Sequence, residues 1–319
     1  MRRRDVLVGG AAALLWPSLA PAQPEKVPAI GVLVIDSPAA EAFRRGFKEA
    51  LRGLGYTEGR DVRFEFRTGQ GNARLQELAA DLVRNKVDVI VTWFTPTAFA
   101  ARKATSDIPI VMGAAGNPVE TGLVASLAHP GGNITGIAGV GAERAGKLVE
   151  LFREALPSSR RVAALANAPD PFSKPFLAAI EASGKAIGMT IDPVPIEGVA
   201  GLDAAFATMA KDRPDALIVQ PSLGMERPAK LALEHQIPAA SIFPAFAESG
   251  GLISYAADYN DVYKTVAIYV TKILKGARPA ELPVERPDKF ILTVNLKTAA
   301  ALGLSLPRSF LARANEVIE

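Results

Sequence analysis

Apolar and polar positions along this chain switch between two periods, and the switching runs through two successive series. Ala29-Ile30-Gly31-Val32-Leu33-Val34-Ile35 is a continuous apolar run bounded by Pro28 and by Asp36-Ser37-Pro38. Such a run predicts a parallel strand buried on both faces. Over residues 39–54 the period becomes helical. Phe43, Phe47, Ala50, Leu51 and Leu54 share a face, and Gly53 and Gly55 close the helix. Residues 62–66 alternate as a second strand. Asn72 is placed to cap a helix with Leu75, Leu78, Ala79 and Leu82 inside. Strands at 87–91 and 108–112 flank a helix that Pro96 opens. After Pro157 the pattern restarts. It predicts strands at 161–166, 190–195, 216–220, 239–243 and 251–255, helices at 175–187, 202–210, 226–235 and 261–274, then a strand at 289–294.

Two β-α-β-α series predict an α/β molecule of two doubly wound parallel-sheet lobes. In such sheets a ligand lies beyond the carboxyl ends of the strands. The candidate contacts are therefore the residues that follow strands. Thr95 and Thr97 stand where a helix begins. Free N–H groups and hydroxyls there suit a carboxylate, and Thr95 also suits a cap. Ser37 has the same placement after the first strand. Asn117 precedes Pro118 after the fourth strand, in a segment that also reads as a turn. Asn167 and Asp170 end the first strand of the second series, and Gln220 and Ser222 flank Pro221 after another. Asp258 is the carboxylate to pair with a ligand ammonium, or else the N-cap region of the following helix. Phe94, Phe172, Phe246 and Tyr255 are stacking surfaces for a flat ligand or core residues. Arg67 is an anion contact or a structural ion pair.

Composition narrows the function. Among 319 residues there is no Cys and there are two His, His129 and His235, both in positions that read as structural. Thiolate catalysis, Cys zinc sites and iron–sulfur clusters are excluded. The net charge of +3 falls to +1 when Arg2, Arg3, Arg4 and Asp5 are set aside, so nothing suggests nucleic acid as a partner. Gly141 to Lys147 imitates a phosphate-binding loop, but Leu148 stands where Ser or Thr is required, and the stretch reads as a helix start. No nucleophile elbow, zinc-protease or calcium-loop spacing occurs. The expectation is a protein that is not an enzyme and has no cofactor. Residues 1–22 carry a basic start, an apolar stretch from Val6 to Trp16 and Ala20-Pro21-Ala22. That is the layout of a secretory signal, with Arg3-Arg4 also resembling a twin-arginine signal. With no lipidation Cys and no later spanning stretch, the expectation is a periplasmic protein with no stable membrane insertion after signal removal.

The stretch from Asn117 to Gly136, including His129-Pro130-Gly131-Gly132-Asn133, closely resembles a signature of the ABC-transporter substrate-binding family that includes tryptophan and tyrosine binders. So do residues 47–59, 104–111, 250–255, 273–279 and 289–303. The resemblance implies a type I periplasmic-binding-protein fold, two lobes joined by three crossing segments. The lobes would be residues 27–138 with 257–280, and 139–256 with 281–319. It implies capture of a small carboxylate, an aromatic amino acid or related aromatic acid, and an ABC permease in the inner membrane as partner. A sensor handing its ligand to a chemoreceptor or histidine kinase is the alternative. The chain departs from the family at Asn117, where Asp is common, at Trp93-Phe94, where small residues and often Gly-Gly occur, and at Ala256, where Gly is usual.

Overall fold

The computed structural model describes residues 27–36, 38–139 and 141–319, excepting the side chains of Pro38 and Ala39. The expected signal at residues 1–22 and the candidate Ser37 lie outside the described residues. The first series forms β1 (Ala29–Ile35), α1 (Pro38–Gly53), β2 (Arg63–Gly69), α2 (Asn72–Arg84), β3 (Val89–Trp93), α3 (Thr95–Ala104), β4 (Ile110–Ala115) and β5 (Ile134–Ala138). These strands make a parallel sheet in the order β2-β1-β3-β4-β5. Its centre is buried on both faces: Ile30, Val32 and Val34 meet one core, Ala29 and Leu33 the other.

The second series forms α4 (Ala142–Ala155), β6 (Arg161–Asn167), α5 (Ser173–Ile187), β7 (Thr190–Ile196), α6 (Leu202–Asp212), β8 (Ala216–Val219), α7 (Glu226–Glu234), β9 (Ala239–Ser241), α8 (Ala245–Glu248) and β10 (Ile253–Ala257). Then come α9 (Tyr259–Leu274), β11 (Phe290–Asn295), α10 (Leu296–Ala301), α11 (Arg308–Leu311) and β12 (Glu316–Ile318). The second sheet runs β12-β11-β10-β9-β8-β6-β7. It is parallel except that β10 and β11 are antiparallel. The path explains the exception. After β10 the chain leaves for the first lobe as α9, packs on α1, and re-enters beside the strand it left. Close packing of α1 on α9 requires Gly46, because a Cβ there would lie 2.2 Å from the Tyr263 ring. Burial holds the Tyr263 hydroxyl neutral, its pKa pushed up to about 12.

Two predicted details change, β5 and the cap of α2, while the helix start at Gly141 and the structural reading of Arg67 hold. Strand β5 escaped the pattern. Its five residues include Gly136 at φ 126, where a Cβ would sit 2.2 Å from the Met112 carbonyl oxygen, so an approach to β4 that only Gly allows breaks the strand signature. The phosphate-loop imitation opens α4, with Gly146 against the α5 backbone, where an added Cβ would meet the Ala179 carbonyl oxygen at 2.9 Å. Asn72 is not the cap of α2; Gly71 holds that position. Arg67 pairs with Asp81 (2.7 Å) and Glu65 (3.3 Å), the structural reading. No helix among the described residues is long and apolar enough to cross a membrane.

One side chain ties the end of the second sheet together. Asn295 is 5% exposed; its Oδ1 accepts from Thr298 N–H (3.0 Å) to cap α10, and its Nδ2 donates to the Ala247 carbonyl (2.8 Å). Asn295→Ala removes a cap and strands a buried acceptor. The expected loss is about 2–3 kcal/mol in urea unfolding. A loss below about 0.5 kcal/mol, the ordinary effect of a surface change, would show that water replaces both bonds.

Candidate functional site

The carboxyl ends of the two sheets face each other and touch. Asn72 Nδ2 donates to the Pro169 carbonyl beyond β6 (3.2 Å). The Phe94 ring, after β3, lies 5.3 Å from that of Phe243, after β9, and Phe243 lies 4.9 Å from Tyr259. Phe172, after β6, packs on Gly116, after β4, so closely that a Cβ at 116 would fall 2.4–2.7 Å from its ring. Enclosed among them is a cavity of about 20 Å³, lined by Phe94, Thr95, Ala114, Gly116, Asp170, Phe172, Pro221, Ser222, Ile242 and Tyr259. That is room for about one water. Beside it, a wider depression of about 340 Å³ at the rim between the lobes is lined by Asn72, Pro96, Phe99, Pro169 and Pro171 among others. A groove of about 600 Å³ lies between α1 and α9, on one lobe alone.

The first-lobe edge of the cavity is strained. Phe94 has φ 73 and ψ 164, a backbone region that essentially only Gly occupies; Ala114 and Asn117 also have positive φ, at 55 and 42. Gly at this place would carry no such strain, and this chain holds a large ring there. Trp93, beneath it, stacks on Phe43 at 4.4 Å, and Gly113 on the next strand leaves room for its indole. The first turn of α3 carries no side-chain cap. Thr95 Oγ1 accepts from Gly116 N–H (2.9 Å) and keeps its own proton to donate. Thr97 is occupied by its own backbone, its hydroxyl turned onto the Trp93 and Phe94 carbonyls (2.6 and 2.9 Å).

The second-lobe edge is a hydrogen-bonded cluster. Asp170, 3% exposed, accepts from Phe172 N–H (2.9 Å) and from Gln220 Nε2 (2.8 Å). Gln220 Oε1 in turn accepts from Asn167 N–H (2.9 Å), and Asn167 Nδ2 reaches Ser222 Oγ (3.4 Å). Burial raises the Asp170 pKa to about 6, against the opposing pull of Ser222, the Phe172 amide and Gln220.

Of the sequence candidates, Phe94, Thr95, Asp170, Phe172 and Ser222 line the cavity, with Asn167 and Gln220 behind them in the cluster. Asn117 lies where the chain crosses between lobes, its Oδ1 accepting from Ala142 N–H (2.9 Å) and its Nδ2 donating to Glu120 (2.6 Å). Tyr255 does not line the cavity; its half-buried ring lies beside Phe290 and Arg144. Nor does Asp258 reach the cavity. It is the N-cap of α9, accepting from Asn260 N–H (3.0 Å), and lies in a separate groove with Asp261 and Lys289. Phe246 is core, beneath Gly251. The pattern missed Tyr259, because it started the helix two residues late and so hid a strand-end residue inside the connection. Ile242 and Phe243 fall inside the strand that the pattern predicts at 239–243, whereas β9 ends at Ser241 and leaves both beyond the strand end.

Residues 29–318 match the family described as ABC transporter substrate binding protein. The chain belongs to that family. Its members bind solutes and are not enzymes, and the fold is that of the type I periplasmic binding proteins. The chain is 27% identical over 278 residues, 85% of its length and 79% of the relative's, to a tyrosine-binding protein of Clostridioides difficile. It is also similar to a solved ABC domain in complex with L-Trp from Streptococcus pneumonia (26% identity, TM-score 0.84, 91% of this chain and 99% of that one). A ligand-free, open substrate-binding protein from Clostridium difficile, also 26% identical over 92% of this chain and 99% of its own, superposes with a TM-score of 0.63.

Proposed function

We propose that this family member is the periplasmic capture component of an ABC importer, closing its two lobes over an aromatic amino acid or related aromatic acid. The lobes that move are residues 27–138 with 257–280, and 139–256 with 281–319. The observation that carries the reading is the cavity itself. Strand ends of both sheets line it, its walls are aromatic, and the uncapped first turn of α3 opens at its edge. A carboxylate would take the free N–H groups of that turn and the Thr95 hydroxyl. A flat side chain would lie among Phe94, Phe172 and Tyr259 once these rings draw apart to admit it, since the cavity of about 20 Å³ between them holds no more than about one water.

The tyrosine- and tryptophan-binding relatives support the ligand class. The superposition is better on the tryptophan complex than on the open protein at equal identity, which supports reading the present arrangement as the closed one. Because the facing strand-end edges meet through a few rings and the hydrogen bond from Asn72 to Pro169, a ligand bridging them biases an open–closed equilibrium. The closed form would then dock on the permease.

A thermal-shift screen of aromatic amino acids and aromatic acids tests this directly. A ligand at about 100 times its Kd stabilises by about 2.7 kcal/mol. The same ligand should reduce the radius of gyration in solution scattering. Binding with no change in radius would remove the closure mechanism, and no shift with any aromatic compound would remove the ligand class.

A further inference from the structure

The edge of a sheet presents a row of unpaired backbone groups that templates a further strand, and folded proteins usually blunt it. Among the described residues, three of the four sheet edges are blunted. β5 is covered by the returning chain: Ala138 N–H donates to the Glu285 carbonyl (2.9 Å) and Glu285 N–H to that of Gly136 (3.0 Å). β7 carries Pro193 and Pro195, and its register on β6 turns both toward the open side, where they present no N–H. β12 is three residues long. β2 is different. It has seven residues and no Pro, and among the described residues no strand but β1 lies beside it.

The register decides which groups of β2 are open. Arg63 N–H donates to the Pro28 carbonyl (2.9 Å), and the Gly69 carbonyl accepts from Asp36 N–H (3.1 Å). In the parallel ladder, residues 63, 65, 67 and 69 therefore face β1. Phe64, Phe66 and Thr68 direct their amides and carbonyls outward. Among the described residues one of these groups is engaged, the Phe66 carbonyl, which accepts from Arg67 Nη1 (2.9 Å) and keeps a second lone pair. The Phe64 and Phe66 rings turn toward α1, where the Arg44 guanidinium lies 4.3 Å from the Phe66 centroid. Glu65 lies on the other face, with Arg63 (2.7 Å) and Arg67 (3.3 Å).

We infer that β2 pairs with β2 of a second copy of this chain, antiparallel about a two-fold axis at Phe66. What is open fixes the register. Phe66 opposite Phe66, with Phe64 opposite Thr68 on either side, are then the hydrogen-bonded pairs, and they use the outward groups and no others. With the axis at Phe64 the ladder would need Val62, whose amide and carbonyl are already taken by Thr57 (3.4 Å) and Gly59 (2.8 Å). With the axis at Thr68 it would run past Gly69, where the strand ends. The side chains agree with the axis at Phe66. Glu65 of each copy stands opposite Arg67 of the other, opposite charges in the closely spaced pairs, and the Phe66 rings meet across the axis. Charge cancels along the joined edge, because each copy sets Arg63 and Arg67 against Glu65 and Asp81. The surface complements itself, as a two-fold interface requires, and this favours a second copy over an unrelated strand. β2 is the opposite edge of its sheet from β5, beside which the chain crosses between lobes, so the pairing does not engage the crossing segments.

Sedimentation velocity of the purified protein, from about 1 μM to about 1 mM, reads the association. A monomer–dimer equilibrium is expected within that range. Thr68→Pro removes an outward N–H from an exposed residue and leaves the bonds to β1 in place, as Pro193 and Pro195 do on β7. It should weaken the dimer at least about tenfold. Because the chain has no Cys, an introduced one reports the register. Phe66→Cys should give a disulfide-linked dimer on mild oxidation, since hydrogen-bonded antiparallel partners stand about 5.5 Å apart. Thr68→Cys should not, because its two copies stand about 13 Å apart along the strands. Far-ultraviolet dichroism checks that each variant is folded, and the unsubstituted protein decides on association without them. A monomer throughout the range overturns the inference. So does a dimer that Thr68→Pro leaves unchanged, which joins through another face. Cross-linking no stronger at 66 than at 68 overturns it as well, since the strands then meet in no fixed register.

Discussion

Gly116→Ala should leave the first lobe folded and weaken ligand capture by about fivefold to a hundredfold. The two halves of that result have separate causes. Gly116 does not adopt the left-handed backbone that excludes side chains, so its own conformation accepts Ala. Replacing Gly by Ala at a compatible site commonly stabilises by about 0.4–1 kcal/mol through the unfolded chain. What the new methyl meets is the other lobe. The built Cβ lies 2.4 Å from Cδ2 and 2.5 Å from Cγ of Phe172, at the root of the ring, where a small rotation gives no relief. Overpacking of this kind costs about 1–3 kcal/mol, and here it falls on the closed form alone. Affinity drops by the corresponding factor, since each 1.4 kcal/mol is tenfold. Calorimetry would measure the affinity, and scattering should show a larger radius for the variant at equal ligand. Phe172→Ala in the same chain removes the obstruction, so the double variant should regain closure even though it has lost a ring. If Gly116→Ala binds as tightly as the parent, the contact between Gly116 and Phe172 does not belong to the ligand-bound state.

The large elements were legible because burial on both faces of a sheet writes itself as apolar runs, and few other structures do so. Ile30 through Val34 and Ala216 through Val219 are such runs. The general location of the site followed from topology, since a ligand in doubly wound sheets sits beyond the strand ends. What the sequence could not rank was one strand-end carboxylate against another. Asp170 and Asp258 both follow strands and precede helices. Asp258 finds its partner two residues on, in the Asn260 N–H, and becomes a cap. Asp170 is held in part by Gln220, fifty residues away, a bond no local pattern announces. The same holds for Gly116 and Phe172, whose meaning depends on the two lobes coming together. Local chemistry decides elements, whereas the site is made of long-range pairs.

At position 94 the usual order of Gly and Ala should reverse. In strands and helices Gly is less stable than Ala by about 0.5–1 kcal/mol. Phe94, at φ 73 and ψ 164, lies in a region essentially restricted to Gly, where a side chain costs about 1–3 kcal/mol. Phe94→Ala discards the ring and keeps that strain. Phe94→Gly discards both. The Gly variant should therefore unfold at higher denaturant than the Ala variant, with a gap of about 1 kcal/mol or more. Both should fall below the parent if the ring's burial outweighs its strain, since losing a buried Phe side chain costs about 3–5 kcal/mol. The ring then has a consequence for binding. It fills space beside Phe243 in a cavity of about 20 Å³, and Gly at 94 frees the volume of a benzyl group. The Gly variant should accept a bulkier aromatic ligand than the parent does, with smaller ligands weakened by the loss of contact. A Gly variant less stable than the Ala variant would mean that the backbone at 94 is not held in the left-handed region. An unchanged order of ligand preference would mean that the ring stands outside the binding volume.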